Sequence, residues 1–192
     1  MINQEELKKS VADYKKCFMS GNTKTASILL DDSCCDDEKG LLFYRQRSFD
    51  EAIQNWAKRK DGKRHGHQVR LKETAIQEMI RKAKNRKDEL RKCNSFSELF
   101  AISHSLRKEI PGIGDLAEYD FAFRVGLSCK LEPEKVYLHA GTKKGAMLLL
   151  RKEDIRGRRC VEAAVFPSPL NSLPPYHIEI FLCIMNHQKQ EY

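Results

Sequence analysis

Five residues constrain this chain more than any others: Ile110-Pro111-Gly112-Ile113-Gly114, set between two stretches long and apolar enough to be helices. Proline ends the preceding helix, and two glycines one residue apart permit a tight reversal, so the flanking helices must run back against each other. Ser95, with Glu98 three residues on, starts the first of them, and Phe96, Leu99, Phe100 and Leu106 form its apolar side. The second runs from Asp115 to about Leu127 and is apolar nearly all round through Leu116, Tyr119, Phe121, Ala122, Phe123 and Val125, a pattern that belongs in an interior.

The same periodicity recurs along the chain. Leu7, Val11, Tyr14 and Phe18 mark a helix over 3–19, a second helical stretch covers 24–30, and the acidic run 31–38 reads as an exposed loop. Ser48 and Glu51 make a capping box for a helix carrying Ala52, Ile53 and Trp56. One long helix is expected over 69–93, with Ile76, Met79, Ile80, Ala83 and Leu90 on its apolar side and cations over much of the remainder. Pro133 suggests a helix or turn leading to Val136, residues 142–150 a helix, residues 160–166 a short strand, and residues 176–186 a final apolar helix. The fold class is therefore mainly α, a multi-helix globular domain with at most a short strand near the C-terminal third. An N-terminal helical region over 1–62 and a second over 63–192 are expected to form one compact unit.

Charge is distributed unevenly. Residues 58–92 hold 14 Lys or Arg against five Asp or Glu, a net of +9, which leaves −1 for the rest of a chain whose total is +8. Such a localised excess suits an anionic partner. The stretch from Lys58 to Gln68 is polar and broken by two glycines, and reads as an exposed basic loop. Seven cysteines, odd in number and not spaced as zinc or iron–sulfur ligands, are expected to be free thiols in a cytoplasmic protein. No apolar stretch reaches the length of a membrane span.

Leu106, Ile110-Pro111-Gly112-Ile113-Gly114, Tyr119, Ala122 and Phe123 together resemble a helix-hairpin-helix motif. In that family the bare amides of the turn grip the DNA backbone without reading sequence. The resemblance implies a sequence-tolerant, salt-sensitive contact with nucleic acid, duplex DNA in particular, through Pro111, Gly112, Ile113 and Gly114. Lys63, Arg64, His67, Gln68, Lys84 and Lys87 of the basic segment would add contacts. Asp115, next to Gly114, would repel a phosphate unless turned away.

The block from Lys63-Arg64-His65-Gly66-His67-Gln68 through Tyr119-Asp120 to Tyr137-Leu138-His139-Ala140-Gly141-Thr142 resembles bacterial proteins of unassigned function, and the hairpin followed by Val136-Tyr137-Leu138-His139 is distantly similar to the helix-hairpin-helix DNA glycosylases. In the glycosylases a Val-Asp-Thr-His-like string follows the hairpin; Val136-Tyr137-Leu138-His139 takes that place, with tyrosine where the aspartate should be. Leu116 stands where the bifunctional members carry a lysine. A neutral phenol does not replace a carboxylate that stabilises an oxocarbenium-like state, so the resemblance extends to fold more readily than to activity. Asp120, Tyr137 and His139 remain the candidates for catalysis, and Asp120 and Arg124, four apart, are expected to pair across one helical turn.

His65 and His67 would need extended chain and a third ligand from His104, His139 or a carboxylate to hold a metal; no metal and no cofactor is expected. Two alternatives accompany DNA binding: a divergent glycosylase-like repair enzyme, and a module for an acidic protein partner.

Overall fold

The computed structural model describes residues 3–19 and 38–188. In chain order the helices are α1 (Gln4–Tyr14), α2 (Glu38–Arg45), α3 (Phe49–Asn55), α4 (Glu73–Asn85), α5 (Lys87–Arg91), α6 (Phe96–Lys108), α7 (Asp115–Ser128), α8 (Ala140–Ala146), α9 (Lys152–Ile155) and α10 (Pro175–Gln188). The sheet consists of β1 (Val136–Tyr137) and β2 (Cys160–Val161), antiparallel, with Val136 opposite Val161. The fold is mainly α with a short strand pair, as the periodicity predicts. Among the described residues no helix is long and apolar enough to cross a membrane. The expected helix over 24–30, the acidic run 31–37 and the pair Cys34-Cys35 lie outside the described residues.

The chain divides into two compact units, one made of residues 1–38 and 133–192, the other of residues 39–132. The boundary expected at residue 62 therefore falls inside the second unit, and the first is assembled from segments far apart in sequence.

In the first unit, Asn3 caps α1 by accepting the Glu6 N–H at 2.8 Å, and the helix passes into a π turn over Lys15–Met19. Leu7, Val11, Tyr14 and Phe18 are all buried, which is the expected stripe. Tyr14 stacks on Phe18 and meets Phe181 edge to face, while its hydroxyl lies 2.7 Å from Nδ1 of His177. The closest helix contact here is that of α8 on α10. A Cβ built on Gly145 would lie 2.0 Å from the Leu182 carbonyl oxygen, and one on Gly141 would lie 3.1 Å from the Cys183 sulfur. Glycine lets one backbone rest directly on the other. The expected strand over 160–166 is only two residues long and is followed by a 3₁₀ turn at Ala163–Val165.

In the second unit the Ser48–Glu51 capping box is present in both directions, with the Glu51 carboxylate accepting the Ser48 N–H at 3.0 Å. At α6 the box is altered: Ser95 Oγ accepts the Glu98 N–H at 3.2 Å, but the Glu98 carboxylate takes the N–H of Asn94. The single long helix expected over 69–93 begins only at Glu73 and breaks at Arg86, whose backbone leaves the helical region at φ −106°, ψ 21°. Arg86 donates two guanidinium hydrogen bonds to Glu89, at 2.7 and 2.6 Å, across that break. Ile76, Met79, Ile80, Ala83 and Leu90 stay buried on both sides of it. The core of this unit is centred on Trp56, fully buried and edge to face with Phe121 at 5.7 Å between centroids. Truncating a residue so placed costs about 3–5 kcal/mol.

Candidate functional site

The turn between α6 and α7 is fastened from inside. Phe96, Leu99, Ile102 and Leu106 of α6 and Tyr119, Ala122 and Phe123 of α7 are buried, and the Phe96 and Tyr119 rings are 6.0 Å apart. Ser103 Oγ donates to the Glu118 carbonyl at 2.8 Å. The Glu118 carboxylate, with no exposed surface, lies 3.2 Å from His104 Nδ1 and 3.0 Å from an Arg107 guanidinium nitrogen. Arg107 also donates from Nε to the Ile113 carbonyl at 3.3 Å and pairs with the Asp115 carboxylate. The last turn of the first helix therefore holds the first turn of the second by charge as well as by packing.

Between these fastenings Ile110 and Ile113 point inward, at 3% and 5% exposure, whereas Pro111, Gly112 and Gly114 are exposed. Gly112 has φ +94°, a conformation that side chains other than glycine rarely adopt. Gly114 is extended and serves as N-cap of α7, with no side-chain cap. The Ile113 N–H returns to the Ile110 carbonyl at 3.3 Å, while those of Gly112 and Gly114 donate to no group among the described residues. Asp115 remains exposed but is paired with Arg107, so its charge is offset within the turn.

The basic segment comes up beside this turn. A Cβ built on Gly112 would be 3.9 Å from that of Ala75 in the first turn of α4, and Lys82 of α4 pairs with Glu109 at 2.6 Å. Lys72 and Lys108 are exposed, and neither has a side-chain partner among the described residues. Other cations in the segment are engaged. Arg64 donates to the Leu71 carbonyl at 2.8 Å and pairs with Glu73; Lys84 donates to Gln54 at 2.5 Å; Lys87 pairs with Asp50 at 2.6 Å. Lys63 is exposed.

The loop from Lys58 to Gln68 differs from the exposed loop expected. Lys58 and the residues 60–63 face solvent, but His65 is 2% exposed and Gln68 not at all. Gln68 is thus fully buried and His67 only partly exposed. The cause is Asp120, more than 50 residues further on, whose buried carboxylate requires donors. Gln68 Nε2 donates to its Oδ2, and His67 Nδ1 lies 3.2 Å from the same oxygen. Arg124 stands 3.8 Å from it, one helical turn along, as the spacing predicts.

The Arg124 guanidinium is held in turn by the Trp56 carbonyl at 2.7 Å and Gln68 Oε1 at 3.1 Å, and it lies over the Tyr44 ring. Burial by itself raises the Asp120 carboxyl; the Arg124 guanidinium and the His67 and His65 imidazoles outweigh it and hold the group below the ordinary carboxylate range. The result is an ionised acid in the interior.

The three catalytic candidates are divided between the units. Asp120 belongs to the second unit; Tyr137, on β1, and His139, the N-cap of α8, belong to the first. Each is 6% exposed. His139 is taken up by Glu179, with Thr142 Oγ1 2.9 Å from His139 Nε2 and donating to the Glu179 carboxylate at 2.9 Å. Glu118, Arg107, Glu179 and His177 carry no local sequence signal, because each is defined by a partner on another element. No protein-family model, curated protein or solved structure matches this chain.

Proposed function

We propose that the unit spanning residues 39–132 binds nucleic acid through its phosphate backbone, with the turn from Pro111 to Gly114 as the anchoring contact. The observation that carries this reading is that the N–H groups of two exposed residues, Gly112 and Gly114, donate to nothing among the described residues at the start of α7, which has no side-chain cap. Amides placed there, reinforced by the positive end of a 14-residue helix, suit a phosphate oxygen. Lys72 and Lys108 supply further positive charge on the elements beside the turn. Arg107 supports the reading from within by pairing with Asp115, the carboxylate next to Gly114.

Contacts of this type fix position without reading bases, so binding is sequence-tolerant and falls steeply with salt. The test is a duplex titration at two salt concentrations with Gly114→Leu beside the native chain. Nothing lies within 4 Å of a Cβ at Gly114, so the substitution leaves the fold intact while covering the amides. Native affinity should drop with salt, Gly114→Leu should weaken binding at least tenfold, and Lys9→Ala on α1 should leave it unchanged. Affinity independent of salt, or equal in the native chain and Gly114→Leu, would remove the proposal. Binding to an acidic protein but not to the duplex would place the basic segment in protein recognition instead.

A further inference from the structure

We infer that His65, His67 and Asp120 form a binding site for a divalent transition-metal ion of the zinc class, with three protein ligands and a fourth position for water. One ligand atom from each of the three side chains can be chosen so that all lie within 4.8 Å of one another. Tetrahedral zinc with bonds of about 2.0–2.2 Å sets its ligands roughly 3.3 Å apart. The 3.2 Å between His67 Nδ1 and Asp120 Oδ2 already matches that spacing. The widest pair must draw in by up to about 1.5 Å, within the reach of side-chain rotation.

The backbone explains why two histidines that are two apart in sequence converge. His65 is the extended N-cap of a 3₁₀ turn over Gly66–Gln68, its Nδ1 accepting the His67 N–H at 3.4 Å. The turn folds the second ring back beside the first, with centroids 5.2 Å apart, and α7 brings Asp120 up to both. The donor set is two imidazoles and a carboxylate, borderline ligands that favour zinc, cobalt or nickel over magnesium or calcium. Gln68 and Arg124 meet the same Asp120 oxygen as His67 does and fix the carboxylate in place, as neighbouring groups do in orienting a ligand. The His67 side chain is 15% exposed, which provides an entry path.

On binding through Nδ1, the His67–Asp120 hydrogen bond gives way to a metal–nitrogen bond; the Nδ1 proton is released to solvent from the imidazolium, or moves to Nε2 in the neutral ring, so that the bound imidazole carries one proton on Nε2. Arg124 adds positive charge beside the ion, so the open position favours hydroxide or another anionic oxygen over neutral water. This site is independent of the glycine turn, and its occupation and phosphate binding are separable.

The experiment is a Co²⁺ titration of the full chain after EDTA treatment, followed by visible absorption. Expected is a ligand-field band that saturates at one equivalent, is erased by Zn²⁺, and is unaccompanied by the intense near-ultraviolet charge transfer of a thiolate ligand. His67→Gln, at the partly exposed edge of the cluster, should keep the fold by circular dichroism and lose affinity by more than the ~10–100-fold typical of removing an outer-shell partner. The native measurement is decisive even if Asp120→Asn does not fold. No band in the native chain, a band with thiolate charge transfer, or a band equally strong in folded His67→Gln would overturn the assignment.

Discussion

Replacing Gly145 by alanine should loosen the α8–α10 contact, although alanine is the better helix former. The added Cβ would lie 2.0 Å from the Leu182 carbonyl oxygen, 2.7 Å from its carbon and 3.0 Å from Cα, against ordinary contact from 3.4 Å. All three atoms are backbone, so no rotamer change relieves the overlap and α8 must back away by about 1.4 Å at that point. A gap of that order forfeits roughly half or more of the dispersion energy along the contact, and overpacking in a tight core costs about 1–3 kcal/mol. With the clash on main chain the upper end applies, about 3 kcal/mol, and the intrinsic preference of a helix for alanine returns about 1 kcal/mol.

The net loss of about 2 kcal/mol corresponds to a fall of roughly 4–8 °C in Tm for a chain of this size. Thermal and urea unfolding by far-ultraviolet circular dichroism would measure it. Gly141→Ala is the internal control: its Cβ meets only the Cys183 sulfur, at 3.1 Å, a side chain that gives by a few tenths of an ångström, so its cost should stay below about 1 kcal/mol. If Gly145→Ala proved as stable as the native protein, or gained the helix-propensity increment, the backbone-on-backbone reading of this contact would be refuted.

Two further outcomes follow from other parts of the structure. Arg124→Met should destabilise by about 3–5 kcal/mol in urea unfolding, because it strands the Asp120 carboxylate in the interior, and Asp120→Asn in the same chain should recover a measurable part of that loss. Equal stability of the single and double variants would show that the pair is not coupled. The Ser48 hydroxyl and backbone N–H hold the Glu51 carboxyl below its ordinary value, so its cap is complete at neutral pH and is lost as pH falls through the depressed value. An NMR titration should find Glu51 titrating below an ordinary glutamate in the native chain and moving upward in Ser48→Ala; an unchanged Glu51 would contradict the capping geometry.

What could be read from the sequence was local. The Ser48–Glu51 box, the Leu7–Val11–Tyr14–Phe18 stripe, the reversal at Pro111–Gly114 and the Asp120–Arg124 spacing each lie within one or two helical turns, where propensity and periodicity act. Gln68 shows where that reach ended. It sits in a run of cations, histidines and a glycine, and Asp120 and Arg124, 52 and 56 residues away, hold it inside. The break at Arg86 left no trace of proline or glycine, since a guanidinium–carboxylate clamp on Glu89 accompanies it. Nothing local marks Gly141 and Gly145, whose neighbours Cys183 and Leu182 come from a helix some 40 residues on. The division into units was hidden for the same reason: His177 and Phe181 of α10 meet Tyr14 of α1, and no window along the chain contains both.

That interleaving bears on how the protein is made. Tyr14 and His177 are 163 positions apart, so at ribosomal speeds of about 5–20 residues per second the first helix emerges roughly 8–33 s before the helix that covers it. The segment 39–132, a compact unit continuous in sequence, is complete well before then. During that interval the greasy side of α1 is bare to the cell, and a chaperone that shields short amphipathic segments on nascent chains would find its substrate there.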